Sequence, residues 1–196
     1  MDSPPSPHPP IDLSKFIAAI AGELTALHLP FMLIGGQAVL VHGRPRLTED
    51  IDITLGASPE KLAVVRNISD SLGLEPLPVD VEQFVWDTFV LPVRHPQSGI
   101  RVDFIFSTTP YEQQAIARAT LVEVGGTQVP FAAAEDLIIH KVFAKRPRDI
   151  EDAIGVVRRK GALLDWEYLR HWARAFREVP GQEDLPELIE RLRRDQ

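Results

Sequence analysis

Three aspartates have the residue type and spacing that metal-assisted phosphate chemistry requires. Asp50 and Asp52 alternate with apolar residues, so on a strand both side chains point to one face, with Cα atoms roughly 6.5 Å apart. Neighbouring carboxylates repel each other and raise each other's pKa, and a divalent cation that prefers oxygen ligands relieves that conflict. Asp103 sits on another predicted strand, between Val102 and Phe104. Each pattern taken alone also fits a solvated acidic face of a strand.

A pair of glycines, Gly35 and Gly36, follows a short apolar run and precedes a short helical pattern. Residues without a Cβ atom allow a sharp turn and a close approach of the backbone to a ligand. The free N–H groups at the start of a helix, together with the helix dipole, favour a phosphate group. The alternative interpretation of the pair is an ordinary tight turn between a strand and a helix.

The pattern of apolar residues predicts the elements that position these groups. Alternation and short apolar runs predict strands at 31–34, 51–55, 89–93, 100–106, 121–124 and 128–131, the last four forming two hairpins. Helical spacing and capping residues predict helices at 12–28, 37–42, 59–72 and 109–119, and then about four helical segments from residue 134 onward. Asp12 or Ser14 is expected to cap the first helix, and Thr109 and Glu112 have the capping-box pattern.

These elements predict an α+β fold with a mixed β-sheet, flanking helices and a C-terminal helical bundle. We expect residues 1–10 to be a disordered, proline-rich tail, residues 11–133 to form the α/β core, and residues 134–196 to form a helical subdomain that packs on it.

The composition excludes several classes of protein. There is no cysteine, so disulfides, thiolate nucleophiles and cysteine-bound metals are excluded. No apolar run reaches the roughly 18 residues that a membrane span requires, and the first ten residues lack the features of a signal peptide. The formal net charge of −7 argues against a generally basic surface for nucleic acid, although arginines concentrate late in the chain. We therefore expect a cytoplasmic protein without membrane contact.

Two blocks of sequence resemble a known superfamily. The segments Leu33-Ile-Gly-Gly-Gln-Ala-Val-Leu-Val-His-Gly43 and Arg46-Leu-Thr-Glu-Asp-Ile-Asp52 are similar to the nucleotidyltransferases related to DNA polymerase beta, in their minimal, toxin-like branch. Glu135-Asp-Leu-Ile-Ile-His-Lys141, followed by Arg146, Arg148-Asp149 and Asp152, resembles the helical motif of AbiEii-type nucleotidyltransferase toxins. Many superfamily members have a serine after the first glycine, where this chain has Gly36. The resemblance covers roughly residues 30–155.

The resemblance implies roles for individual residues. It implies that Asp50, Asp52 and Asp103 bind Mg²⁺ (or Mn²⁺), that Asp103 accepts a proton, and that Lys141 completes the catalytic set. It implies nucleotide contacts, for ATP or another nucleoside triphosphate, from these residues: Gly35, Gly36, Arg46, Thr48, Lys141 and Asp149. Asp149 is also expected to position Lys141, with plain solvation as the alternative.

The implied function is magnesium-dependent transfer of a nucleoside monophosphate from a nucleoside triphosphate to an acceptor hydroxyl of tRNA or protein. The resemblance further implies that the protein is the toxin of a toxin–antitoxin system, with a cognate antitoxin as partner. Two alternatives remain at this stage: transfer to a small molecule such as an aminoglycoside, and a non-catalytic scaffold that binds a partner. The sequence predicts neither the nucleotide nor the acceptor.

Overall fold

The strands in the described part of the chain form one mixed sheet of seven strands. The structure is a computed structural model, and it describes residues 12–45, 47–48 and 50–194. The proline-rich tail predicted for residues 1–10 therefore lies outside the described residues. Within the described ranges, no helix is both long enough and apolar enough to cross a bilayer.

Helices and strands are interspersed up to residue 131, and the elements described after that are helices. The strands are β1 (Phe31–Leu33), β2 (Ile51–Leu55), β3 (Glu75–Pro76), β4 (Val90–Arg94), β5 (Arg101–Phe106), β6 (Thr120–Val124) and β7 (Thr127–Phe131). The helices are α1 (Leu13–Ala26), α2 (Gly35–His42), α3 (Leu62–Ser71), α4 (Val81–Thr88), α5 (Pro110–Ala117), α6 (Ala134–Ala144), α7 (Pro147–Lys160), α8 (Trp166–Phe176) and α9 (Leu185–Arg194). The strand order is β3-β4-β5-β2-β1-β7-β6. The predicted α+β class is confirmed.

Strands β2 and β5 lie side by side in the middle of the sheet and run parallel. Their alternation separates two faces, because Ile53 and Phe104 are fully buried on one side while Asp52 and Asp103 point to the other. The register pairs Asp52 with Asp103. The period-two pattern in the sequence therefore places both acids on one face of neighbouring strands.

Local capping explains where two of the helices begin. Asp12 caps α1 by accepting hydrogen bonds from the N–H groups of Ser14 and Lys15, at 3.0 and 3.3 Å. Thr109 caps α5 by accepting from the N–H of Glu112 at 3.2 Å. The carboxylate of Glu112, however, contacts a side chain on α6, so the predicted capping box is only half formed there.

The helices after residue 131 share one hydrophobic core with the sheet. Leu137 and Ile138 of α6 and Val156 of α7 are fully buried in the same cluster as Ile53 and Phe104. The last strand ends at residue 131 and α6 begins at residue 134, close to the predicted boundary at 133. The helical part therefore packs on the sheet through a continuous core, and its description as a subdomain stays an interpretation.

Candidate active site

The acidic side chains on β2 and β5 lie close enough to influence one another. Asp52 and Asp103 are register partners on strands about 4.8 Å apart, and Asp50 is exposed immediately before β2. Burial raises the pKa of Asp52 above its ordinary value, and the negative charges of Asp103 and Asp50 raise it further. The site therefore concentrates negative charge that only a cation or a positively charged side chain can balance.

The turn between β1 and α2 lies directly against Asp52. The N–H of Ile34 donates to the backbone oxygen of Asp52 at 2.9 Å, and Gly35 has a positive φ of 59°. A Cβ atom on Gly35 would be 1.9 Å from Oδ2 of Asp52, and one on Gly36 would be 2.3 Å from Oγ1 of Thr48. A larger residue at either position would therefore have to displace the side chain of Asp52 or Thr48, and at Gly35 it would also have to adopt the positive φ.

Helix α2 begins at this turn without a side-chain cap. Ile34 occupies the N-cap position and makes no side-chain hydrogen bond to the first turn. The first N–H groups of a helix have no partner within the helix, so a phosphate oxygen can accept from them here. The prediction placed the start of this helix at residue 37; it begins at Gly35 because a positive φ lets the chain turn within a single residue.

Arg101 is a site residue that the sequence analysis did not identify. Its Nε donates to Oδ1 of Asp103 at 2.8 Å, and this hydrogen bond raises the pKa of the Arg101 guanidinium. The two residues are two apart on β5 and therefore share a face. That i, i+2 spacing was the available signal. In this arrangement Arg101 balances part of the charge of Asp103.

Lys141 on α6 is buried and bonded to two carboxylates of α7. Its Nζ lies 2.7 Å from Oδ1 of Asp149 and 2.9 Å from Oδ2 of Asp152, and all three side chains are buried. Arg146, at the N-cap position of α7, also donates to Asp149. Burial alone would raise the pKa of Asp149, but the hydrogen bonds from Arg146 and Lys141 outweigh it and lower that pKa.

The structure brings the predicted residues of the described ranges into one cleft of about 390 Å³. Arg146, Arg148 and Arg101 also line it. The predicted residues among its walls are Gly35, Gly36, Thr48, Asp50, Asp52, Asp103, Lys141 and Asp149. Arg46, the remaining predicted nucleotide contact, lies outside the described residues. The cleft combines carboxylates with cationic side chains, which suits a metal-bound polyphosphate.

Within the described ranges, no three acidic or histidine side chains converge closely enough to hold a metal ion as they stand. Asp103 is paired with Arg101, and Asp50 is exposed. The donor set still fits magnesium, because three carboxylates that share one face supply only hard oxygen ligands and repel each other without a cation. The assignment of Asp50, Asp52 and Asp103 as metal ligands stays a prediction.

Comparison with known families shows the family of this chain. Residues 19–195 match the family described as "Nucleotidyl transferase AbiEii toxin, Type IV TA system". The chain belongs to this family. The AbiEii match covers the glycine turn, the carboxylates and the helical lysine cluster, so the resemblance inferred from the two motif blocks is confirmed. The AbiEii chain is therefore a nucleotidyltransferase, and the alternative of a non-catalytic scaffold is set aside.

Solved structures share the fold of this AbiEii protein at low sequence identity. The antibiotic-resistance factor ANT(2")-Ia, in complex with adenylyl-2"-tobramycin, has a TM-score of 0.56 and 18% identity, with 94% of this chain and 98% of that chain covered. An antigenic nucleotidyltransferase-like protein from Paracoccidioides brasiliensis has a TM-score of 0.54 and 16% identity, covering 91% and 92%. The lincosamide adenylyltransferase LnuA, bound to lincomycin, has a TM-score of 0.52 and 14% identity, covering 76% and 98%. No curated protein sequence matches the chain.

We expect Gly35→Ala to damage both the stability and the activity of the AbiEii protein. An L-residue at a φ of 59° costs about 1–2 kcal/mol, and the added Cβ would displace the Asp52 carboxylate. A displacement of about 1 Å at a reacting centre lowers a rate about a hundredfold. Urea unfolding and a nucleotide-transfer assay measure the two effects.

The control for this change is Gly22→Ala. Gly22 lies in the interior of α1 with nothing within 4 Å of an added Cβ, so alanine there is expected to stabilise the protein by up to about 1 kcal/mol. A Gly35→Ala protein as stable and as active as the wild type would contradict the role assigned to the turn.

Proposed function

We propose that this protein transfers a nucleoside monophosphate from a nucleoside triphosphate, with Mg²⁺ or Mn²⁺, to a hydroxyl group of a macromolecule, either tRNA or protein. We further propose that it acts in the cytoplasm as a toxin that a cognate antitoxin restrains. The observation that carries the proposal is the single cleft in which Gly35, Asp52 and Lys141 face one another. The family to which the chain belongs is itself described as a toxin of a type IV toxin–antitoxin system.

The charges of the cleft support this reaction. The acceptor oxygen forms a bond to the α-phosphorus, the bond to the bridging oxygen of the β-phosphate breaks, and pyrophosphate leaves with that electron pair. Asp103 accepts the proton of the acceptor hydroxyl once its carboxylate turns from Arg101. A divalent cation held by Asp50, Asp52 and Asp103 would neutralise phosphate charge and stabilise the departing oxygen.

Neutral hydrogen-bond donors and cationic side chains together bind the triphosphate in this proposal. The first turn of α2, beginning at Gly35, donates backbone N–H groups to the phosphates, and Thr48 adds a hydroxyl beside Gly36. Lys141 and Arg146 face the same space from the helical side of the cleft. Asp149 positions Lys141 through their 2.7 Å contact. The protein thus acts mainly by orienting groups and balancing charge.

A second candidate is transfer to a small molecule. It is supported by a pocket of about 440 Å³ that adjoins the cleft and whose lining includes the aromatic side chains of Tyr111, Phe143 and Phe176. Two proteins of similar fold were solved with a modified aminoglycoside or with lincomycin. Those similarities are below 20% in sequence identity, so they support the fold and leave the acceptor of this chain to experiment.

The test incubates the purified protein with Mg²⁺ and each of four α-labelled nucleoside triphosphates. Parallel reactions contain total tRNA, a cell lysate depleted of RNA, or a panel of aminoglycosides and lincosamides. We expect label to appear on tRNA or protein and to be abolished by EDTA. Label only on a small molecule would favour the second candidate, and no transfer to any acceptor would contradict both.

The toxin role needs a separate measurement in cells. Induced expression is expected to arrest growth, and co-expression of the neighbouring reading frame is expected to restore it. Unchanged growth despite active enzyme would contradict the toxin role and leave the transfer activity standing.

A further inference from the structure

A second pocket, of about 440 Å³, adjoins the catalytic cleft. It shares Gly35, Asp52 and Lys141 with the cleft, so a ligand bound at the carboxylates can extend directly into it. Its floor is the sheet, at Thr54 of β2 and Ile105 of β5, and its walls come from α5, α6 and α8. The pocket therefore begins where the triphosphate is proposed to bind and leads away from it.

Three aromatic side chains, Tyr111, Phe143 and Phe176, contribute to the walls of this pocket. The Tyr111 and Phe176 rings meet edge to face, with centroids 5.0 Å apart, and the Phe143 and Phe176 rings meet at 5.3 Å. A pocket that is mostly apolar, with a few polar groups, is typical of a site for a small organic ligand. Flat apolar walls favour a flat heterocycle over a flexible polar chain.

The polar residues of the lining include a bonded pair, His140 of α6 and Glu112 of α5. Nε2 of His140 lies 3.1 Å from Oε1 of Glu112, and each side chain is 18% exposed. Oε2 of Glu112 is buried and has no hydrogen-bond partner among the residues that the structure describes. Buried polar atoms in proteins are rarely left without a partner, so this oxygen marks a position that a hydrogen-bond donor of a ligand would satisfy. Glu112 is itself one of the residues that line the pocket.

We infer that this pocket holds the nucleoside of the substrate and that Glu112 selects bases carrying an exocyclic amine over uracil. The inference rests on the proposed function, because it assumes a triphosphate at Gly35 and Asp52. An ionised carboxylate only accepts hydrogen bonds. Adenine, cytosine and guanine each offer an amine that donates to it. Uracil offers a single ring N–H between two carbonyl oxygens, and those oxygens repel the carboxylate.

His140 is a positioning residue in this arrangement. When Nε2 carries the proton, it donates to Oε1 of Glu112 and holds the carboxylate in one orientation. The ring of Tyr111 packs edge to face on His140 at 5.6 Å and keeps the imidazole in place. The selectivity of Glu112 therefore depends on His140, although His140 itself need not contact the base.

The experiment measures equilibrium binding of ATP, CTP, GTP and UTP to the wild-type protein with Mg²⁺ and without acceptor. We expect UTP to bind at least about tenfold more weakly than the tightest of the other three, the effect of one hydrogen bond to a buried charge. Glu112→Gln keeps the shape of the side chain but adds a donor, and it is expected to reduce the preference to about twofold. His140→Asn is expected to reduce the preference over UTP as well, but by less than Glu112→Gln does. Glu123→Gln, on the outer strand β6, is the matched control and should leave the ratio unchanged.

The outcomes separate this inference from the proposed function. UTP bound as tightly as the other nucleotides by the wild type would overturn the inference while leaving transfer intact. A Glu112→Gln protein with unchanged selectivity but weaker transfer would place the acceptor in this pocket, and it would also overturn the inference. No binding of any nucleotide, together with no transfer, would overturn the proposed function and the inference with it.

Discussion

Asp52→Asn is expected to lower the rate of nucleotidyl transfer about a thousandfold while the protein remains folded. Asp52 lies beside Asp103 on the neighbouring strand and against Gly35, at the centre of the cleft. Asparagine keeps the shape of the side chain but removes the charge that would hold a cation. A metal ion contributes several kcal/mol of transition-state stabilisation, which corresponds to about three orders of magnitude in rate. Single-turnover transfer with a labelled nucleotide measures the loss.

The same substitution is expected to leave the free energy of unfolding unchanged or slightly higher. Burial and the charges of Asp103 and Asp50 raise the pKa of Asp52, so its ionised form is unfavourable in the folded protein without a cation. Removing that charge relieves the repulsion. Asp70→Asn, at an exposed position of α3, is the control and should change neither property. An Asp52→Asn enzyme that retained activity within tenfold of the wild type would argue against a role for this carboxylate.

Lys141→Met is expected to lower the free energy of unfolding by about 3–5 kcal/mol. The change leaves the buried carboxylates of Asp149 and Asp152 without the cation that lies 2.7 and 2.9 Å from them. The whole stability of a domain is about 5–15 kcal/mol, so this loss is a large part of it. Urea unfolding followed by tryptophan fluorescence is a suitable measurement, because Trp166 and Trp172 lie on the neighbouring helix α8.

A triple variant separates the structural from the catalytic role of Lys141. Combining Lys141→Met with Asp149→Asn and Asp152→Asn also removes the charges of the two carboxylates that Lys141 contacts, and we expect it to recover most of the lost stability but no activity. Lys61→Met, at an exposed position, should change stability by no more than about 0.5 kcal/mol. Recovery of transfer by the triple variant would show that the lysine acts only in folding.

Periodicity predicted the parts of the fold in which one face is buried. Strand β5 alternates perfectly between buried and partly exposed residues, and β2 does so nearly, which is why the acids on them could be assigned to one face. Strand β3 and helix α4 were missed. Val85 is the buried residue of α4, while Phe84 and Trp86 are exposed, so its apolar residues do not follow its buried face. Strand β3 has two residues, too few for a periodic signal.

The site was predicted best where local spacing carried the information. Asp50 and Asp52 are two residues apart, so the prediction of a strand was enough to place them together. The resemblance was needed to connect Lys141 and Asp149 with them. Glu112 shows the limit of local reasoning. Its position in the sequence is typical of a capping box, yet its carboxylate bonds His140 on another helix. Such a contact depends on how α5 packs against α6, and no spacing along the chain encodes it.

The residues that form the cleft are also synthesised at different times. Asp50 and Asp52 are translated well before Lys141 and Asp149, whose helices α6 and α7 follow all seven strands of the described sheet. At the usual pace of protein synthesis, the interval is on the order of ten seconds. A nascent chain on the ribosome thus carries these acidic residues for that interval without the lysine cluster that completes the cleft.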